Sequence, residues 1–312
     1  MAKPQWIARP EDAGVRLDKY LAAAERLGSR ARAADALARG KVFVNDREAS
    51  SADAGARLRA GDAVRVWVDR PGTGHRPVAL GSDRDVAIVF EDRSMVVVNK
   101  PAGVLAVPLA RRGDARSVFE DLKTYLRTRR RPRPLVVHRI DRDTSGLVVF
   151  ATNARAQERL KAQFKRRTAG RRYLAVVYGH PTPPAGTWRD RLVWDDTFLI
   201  QKETHPRDPA GKEAISRYRV IEALKGASLI EVELVTGRRN QIRIQARLRG
   251  HTLVGERRYV YGPDSLRTIP FPRQALHASR LTFVHPVDAR TLTFEAPLPA
   301  DLVELIATLR LS

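Results

Sequence analysis

The stretch Arg70-Pro71-Gly72-Thr73-Gly74-His75-Arg76-Pro77 constrains this chain most, because no hydrophobic period runs through it. Proline fixes φ and removes an amide donor, glycine loosens the backbone, and together they favour a linker over a helix or a sheet interior. The chain is therefore expected to divide into an N-terminal unit over residues 12–70, a linker over 71–83 and a large unit over 84–312. With 312 residues, 43% of them hydrophobic, there is enough chain for one large core and one small one. The glycines of the break lack the following Lys-Ser/Thr of a phosphate-binding loop, so no nucleotide site is expected there.

Within the first unit the pattern changes from helical to strand-like. Leu17, Tyr20, Leu21 and Ala24 fall at helical spacing, and Ser29 suits the N-cap of a second helix that Gly40 ends. Val42 and Val44 then alternate with other positions, Asn45-Asp46 supplies turn chemistry, and Val64 and Val66 alternate again after Gly61-Asp62. Arg26, Arg30, Arg32, Arg39 and Lys41 gather around the second helix, where they can follow a phosphate backbone.

The large unit alternates strands and helices without the rhythm of a doubly wound parallel sheet. Strands are expected at 86–90, 95–99, 135–138, 147–151, 172–178, 216–223, 228–235 and 281–284, with helices at 117–127 and 154–166. The fold class that follows is α+β, with a mixed, largely antiparallel sheet. A second basic stretch, Arg127 to Arg133, reads as an exposed loop.

Charge narrows the partner. Fifty-seven Lys+Arg against 35 Asp+Glu leave a formal charge of +22, beyond what solubility requires, and this points to a polyanion. Arginine far outnumbers lysine, which suits bidentate phosphate contacts and stacking on bases. Zero cysteines exclude disulfides, thiolate zinc sites and cysteine nucleophiles, and the seven histidines are scattered without paired spacing, so no metal site is expected. No signal-like segment opens the chain and no apolar run approaches roughly 18 residues, so a cytoplasmic protein without a membrane association is expected.

The most informative segment runs from Leu135 to Phe150, where two apolar runs flank the charged loop His138-Arg139-Ile140-Asp141-Arg142-Asp143-Thr144-Ser145-Gly146. Such a loop projects side chains from a rigid scaffold. Taken alone it leaves Asp141 and Asp143 open between catalysis and turn formation.

His138 to Leu147 closely resembles the H-R-L-D-x-x-T-S-G-L signature of the RluA-type pseudouridine synthases. Further blocks match in order: 88–92 with Asn99-Lys100-Pro101-Ala102-Gly103; Gln163-Phe164-Lys165 with Arg172-Tyr173-Leu174-Ala175; Thr236-Gly237-Arg238 with Gln241-Ile242-Arg243; and 273–278. Leu17 to Leu21, Ser29-Arg30 and Gly40 to Asn45 resemble the αL RNA-binding domain of a small-subunit ribosomal protein and several RNA-modifying enzymes.

The resemblance implies an RNA pseudouridine synthase with an αL domain ahead of its catalytic domain. It makes Asp141 the catalytic carboxylate, Tyr173 the ring packed on uracil and Arg243 the cation paired with Asp141. Arg139 enters the stack vacated by the target base, and Arg30, Arg32, Arg39 and Lys41 bind RNA. It implies no cofactor and no metal, and action on ribosomal RNA of the large subunit, with transfer RNA as runner-up; a monomer is expected, although nothing in the sequence reads out the oligomeric state. Departures are Asn240 and Gln245 where histidines are common, Glu256 where aspartate is usual, and Val107 before Pro108. These positions are expected to shape the RNA-facing rim without touching Asp141, Tyr173 or Arg243. Asp143 is expected to accept backbone hydrogen bonds in its turn. The competing readings are a non-catalytic RNA-binding or ribosome-assembly protein, which has no need of the three site residues together, and a metal-dependent nuclease.

Overall fold

The computed structural model describes residues 5–38, 40–45, 47–49, 51–67, 86–108, 116–198, 200–260, 263 and 267–311. The expected linker over 71–83 lies outside the described residues, and so does Arg39.

In the N-terminal unit the helical spacing forms α1 (Leu17–Leu21) and α2 (Arg30–Ala38), and Ser29 accepts the Arg32 amide at 3.2 Å as the expected cap. The alternating segments form β2 (Val42–Val44), β3 (Arg47–Ala49) and β4 (Ala63–Val66), joined by β1 (Gln5–Ile7) in an antiparallel sheet of order β1-β4-β2-β3. Leu17, Tyr20, Leu21, Leu37, Val42, Val64 and Val66 give this unit a buried core of its own. Arg30 and Arg32 are exposed. Arg26 is not with them: its guanidinium lies 3.4 Å from the centre of the Tyr20 ring and donates to the Tyr20 carbonyl.

The large unit is one mixed sheet. Its strands are β5 (Ala87–Glu91), β6 (Met95–Lys100), β7 (Leu135–Val136), β8 (Ser145–Ala151), β9 (Gly170–Tyr178), β10 (Ala185–Asp195), β11 (Ile200–Glu203), β12 (Lys212–Leu224), β13 (Ala227–Leu234), β14 (Leu276–Val284) and β15 (Thr291–Glu295). The order is β11-β10-β12-β13-β9-β14-β8-β6-β5, with β15 beside β14 and β7 beside β8; among these described strands only the β14–β8 pairing is parallel. The α+β class with a largely antiparallel sheet is therefore as expected.

Continuous apolar runs mark the strands covered on both faces. Val96, Val98, Val148 and Phe150 pack with Val118, Leu122 and Leu126 of α3 (Val118–Thr128), whereas Met95, Val97, Leu147 and Val149 pack with Ala156 and Leu160 of α4 (Ala154–Arg166). Both helices begin at side-chain caps, Ser117 and Asn153. Two further helices, α5 (Gln241–Leu248) and α6 (Ala300–Leu311), are not foreshadowed by periodicity, and neither are β10, β11 and β15. The basic stretch 127–133 is partly committed to structure, since Arg131 pairs with Glu91 and with the Asp92 carbonyl.

Candidate active site

The loop between β7 and β8 is held from beneath by residues far away in the chain. Lys100, fully buried at the end of β6, donates Nζ to the carbonyls of Pro101, Val104 and Arg142 at 2.8, 2.8 and 2.7 Å. Arg273 donates to the Asp143 carbonyl at 3.1 Å while its other nitrogens grip Asp301 at 2.7 and 3.0 Å. Gly146 ends the loop at φ +114°, and a Cβ there would sit 2.3 Å from the Ala278 carbonyl oxygen, where β14 runs alongside β8. The residues of the first and last sequence blocks thus meet as the mount of one loop. Asp143 differs from expectation: its carboxylate receives the Arg142 guanidinium at 3.1 and 3.3 Å, not the backbone of the turn.

On this mount Asp141 faces α5. Oδ2 accepts from Asn240 Nδ2 at 2.7 Å and from Arg243 Nη1 at 3.1 Å, whereas Oδ1 has no hydrogen bond among the described residues. Arg243 in turn places Nε and Nη2 each 2.6 Å from Glu256, whose side chain is completely covered. Burial works against both charges. The pair nevertheless holds the Glu256 carboxyl below its ordinary value and the Arg243 guanidinium above its own, helped by backbone amides on Glu256 and by the charge of Asp141 on Arg243. The helix is placed by Gln241, which bonds Thr236, Arg238 N, the Ile215 carbonyl and Ser216.

A cleft of about 630 Å³ opens over Asp141. Asp141 is the only acidic residue lining it among the described residues, against six arginines (Arg139, Arg167, Arg171, Arg238, Arg239 and Arg243) and Lys165. Tyr173 enters from β9; burial raises its hydroxyl pKa, Arg171 opposes and Asp141 adds to the rise, so the phenol stays protonated near neutrality. His138 stacks on Phe164 at 4.5 Å and accepts the Val149 amide at Nε2, while burial, with Arg171 nearby, pushes its pKa down to about 3. It is therefore a neutral support for the loop. Arg239 lies 3.9 Å over the Trp194 ring. No group of three His, Asp or Glu able to hold a metal occurs among the described residues, and no helix there is long and apolar enough to cross a membrane.

Asp141, Tyr173, Arg243 and Arg139 are thus brought together, while Arg30, Arg32 and Lys41 belong to the N-terminal unit. The departures from the family pattern need correction. Asn240 touches Asp141 and Glu256 grips Arg243, so two of them belong to the site itself. Gln245 is buried away from the rim, bonded to Asp190, Ser216 and the Ala214 carbonyl. Lys100 and Arg273 stand within the matching sequence blocks, but motif reading gives them no role, because the loop they hold is remote in sequence.

Residues 94–248 match the RNA pseudouridylate synthase family. The chain is 36% identical to the ribosomal large subunit pseudouridine synthase D of Zymomonas mobilis, across 100% of this chain and 99% of that one. It is 37% identical to the Bacillus subtilis RNA pseudouridine synthase YlyB, across 97% of each. Among solved structures, the human RNA pseudouridylate synthase domain containing 1 superposes with a TM-score of 0.57 at 25% identity, over 70% of this chain and 86% of that one.

Proposed function

Because this chain belongs to the RNA pseudouridylate synthase family, we propose that Asp141 is the carboxylate with which it converts uridine to pseudouridine in large-subunit ribosomal RNA. The chain is an isomerase acting on RNA. The observation that carries the assignment is the asymmetry of the Asp141 carboxylate in the cationic cleft it lines: two donors fix Oδ2, and Oδ1 has no hydrogen bond among the described residues.

The reaction breaks the glycosidic carbon–nitrogen bond, turns the uracil and rejoins it through ring carbon five, whose hydrogen is lost as a proton. An ionised oxygen beside the ribose serves this as nucleophile or base, and a fixed partner for the second oxygen keeps it aimed. Tyr173 supplies an apolar face for the uracil with a protonated hydroxyl at its edge. Arg139, without a carboxylate partner among the described residues, is suited to fill the stack that a flipped uridine leaves. Arg30, Arg32, Arg39 and Lys41 are assigned to RNA backbone contacts; replacing Arg30 and Arg32 by serine should make the salt dependence of RNA binding shallower, and an unchanged slope removes them from the interface.

Large-subunit RNA is supported by the name of the Zymomonas relative. The test is tritium release from RNA carrying 5-tritiated uridine. The parent should release tritium from large-subunit RNA, and Asp141→Asn should release none while still binding. Release by Asp141→Asn at the parental rate overturns the assignment, and release from transfer RNA instead overturns the substrate.

A further inference from the structure

Side chains two apart on a strand share a face, so β9 sends Arg171 into the same cleft as Tyr173. Arg172 between them goes the other way and meets Glu231 and Glu233 at 3.5 and 3.4 Å. Arg171 has no such neighbour. Its guanidinium has neither a carboxylate nor a hydrogen-bond acceptor among the described residues, and its Nε is sealed from solvent without a partner. Phe164 offers only a ring, 5.6 Å from the guanidinium carbon.

A half-buried charge without a counter-charge is still costly, and the burial it has holds this guanidinium below its ordinary pKa although Tyr173 pulls the other way. Two other cations of this wall already have partners. Arg167 lies 3.6 Å from Glu213, and Arg238 donates to the Glu213 carbonyl at 2.9 Å. The chain also makes room for the group, since a Cβ on Gly237 would fall 2.3 Å from Arg171 Nη1.

We propose that Arg171, seated against Gly237 in the Asp141 cleft, binds a backbone phosphate of the RNA beside the target uridine. The proposal rests on the reading that this cleft takes RNA. A uracil carbonyl would satisfy hydrogen bonds but leave the charge uncompensated, whereas a phosphodiester offers both an anion and two acceptors to a planar fork. Asp141 does not supply the anion: its bonded oxygen faces Asn240 and Arg243, and neither a hydrogen bond nor an ion pair joins it to Arg171 among the described residues.

The experiment measures kcat/KM against salt on an in vitro transcript of large-subunit ribosomal RNA carrying 5-tritiated uridine, for the parent, Arg171→Met, Arg171→Lys and Gly237→Ala. Arg171→Met should lower kcat/KM by roughly tenfold to a hundredfold and make the logarithmic salt slope shallower by about 0.7 to 0.9. Arg171→Lys should restore the slope but only part of the rate, because an ammonium lacks the fork. Gly237→Ala keeps the charge but displaces it, and should raise KM. A parental slope for folded Arg171→Met overturns the proposal and leaves the residue as packing for Phe164. If Arg171→Met does not fold, a parental KM for Gly237→Ala overturns it equally. Should the parent release no tritium, the proposed function falls separately, and the salt slope of Kd for the same transcript still decides the role of Arg171.

Discussion

Arg243 gives Glu256 two donors and Asp141 one. Nε and Nη2 lie 2.6 Å from the Glu256 carboxylate, and Nη1 lies 3.1 Å from Asp141. Glu256 is itself held by the amides of Arg257, Arg258 and Tyr259 at 3.1, 2.8 and 3.2 Å. The orientation of the guanidinium is therefore set before any substrate arrives, which is the condition for an electrostatic partner that need not reorganise during reaction.

Glu256→Gln should accordingly injure both stability and turnover. Breaking a buried pair leaves a charge uncompensated and costs about 3 kcal/mol, a fall in Tm of roughly 6 to 12 °C for a unit of this size. Turnover measured well below the new Tm should fall as well, because Arg243 is free to swing from Asp141. Parental kcat in a protein that melts early would show that Glu256 serves the fold alone.

Lys100 supplies a pH test. Burial pushes its pKa down to about 7, against the pull of Asp143 and Asp141, while the unfolded chain keeps the ordinary 10.5. Between those values the unfolded state binds the extra proton, so this group makes stability rise with pH by about 1.4 kcal/mol per unit. The stability of the parent minus that of Lys100→Met should therefore grow by about 2 to 3 kcal/mol from about pH 7.5 to 9.5. Denaturant unfolding at each pH measures it, and a flat difference means that Lys100 keeps an ordinary pKa in the fold.

Gly146→Ala should be among the most damaging single-methyl changes in the large unit. The residue combines φ +114° with a backbone approach so close that an added Cβ would lie 2.3 Å from the Ala278 carbonyl oxygen. Strain and overlap together should cost about 3 kcal/mol or more, read as a lower denaturant midpoint at unchanged slope. A midpoint equal to the parent's would mean that β8 and β14 separate there without cost.

These sites are unequally legible in the sequence. The β7–β8 loop announces itself because apolar runs, buried on both faces as β8 is, bracket a charged turn ending in glycine. The strand β10 does not, because Arg189, Asp190 and Arg191 interrupt it and only Trp188, Asp190 and Leu192 are buried near its centre. The helix α5 is only eight residues long, too short for its period to stand out. The partners of Asp141 lie 99 and 102 positions away, and the three carbonyls that hold Lys100 carry no side-chain signature at all. Motif resemblance locates Arg243, but the roles of Glu256 and Asn240 emerge only when α5 is packed against the loop.

Asn240 yields the most discriminating prediction, since it stands where histidine is common in the family. It precedes α5 at φ 53°, a left-handed conformation that asparagine tolerates better than most residues. Its amide orientation is set by its neighbours: Oδ1 accepts the Tyr259 hydroxyl at 3.3 Å, that hydroxyl accepts the Gln201 amide at 2.9 Å, and Nδ2 is thereby turned to Asp141. A hydrogen bond to a charged acceptor contributes about 1.5 to 3 kcal/mol, so Asn240→Ala should lower kcat by roughly tenfold to a hundredfold with RNA affinity little changed. Asn240→His retains a ring N–H donor and should stay within a few-fold of the parent. Asn240→Asp sets a second carboxylate against Asp141 in place of a donor and should be the least active of the three. Tritium-release rates at saturating RNA rank them directly. A rate for Asn240→Ala equal to the parent's would remove Asn240 from the alignment of Asp141 and leave Arg243 as the sole group that holds Oδ2.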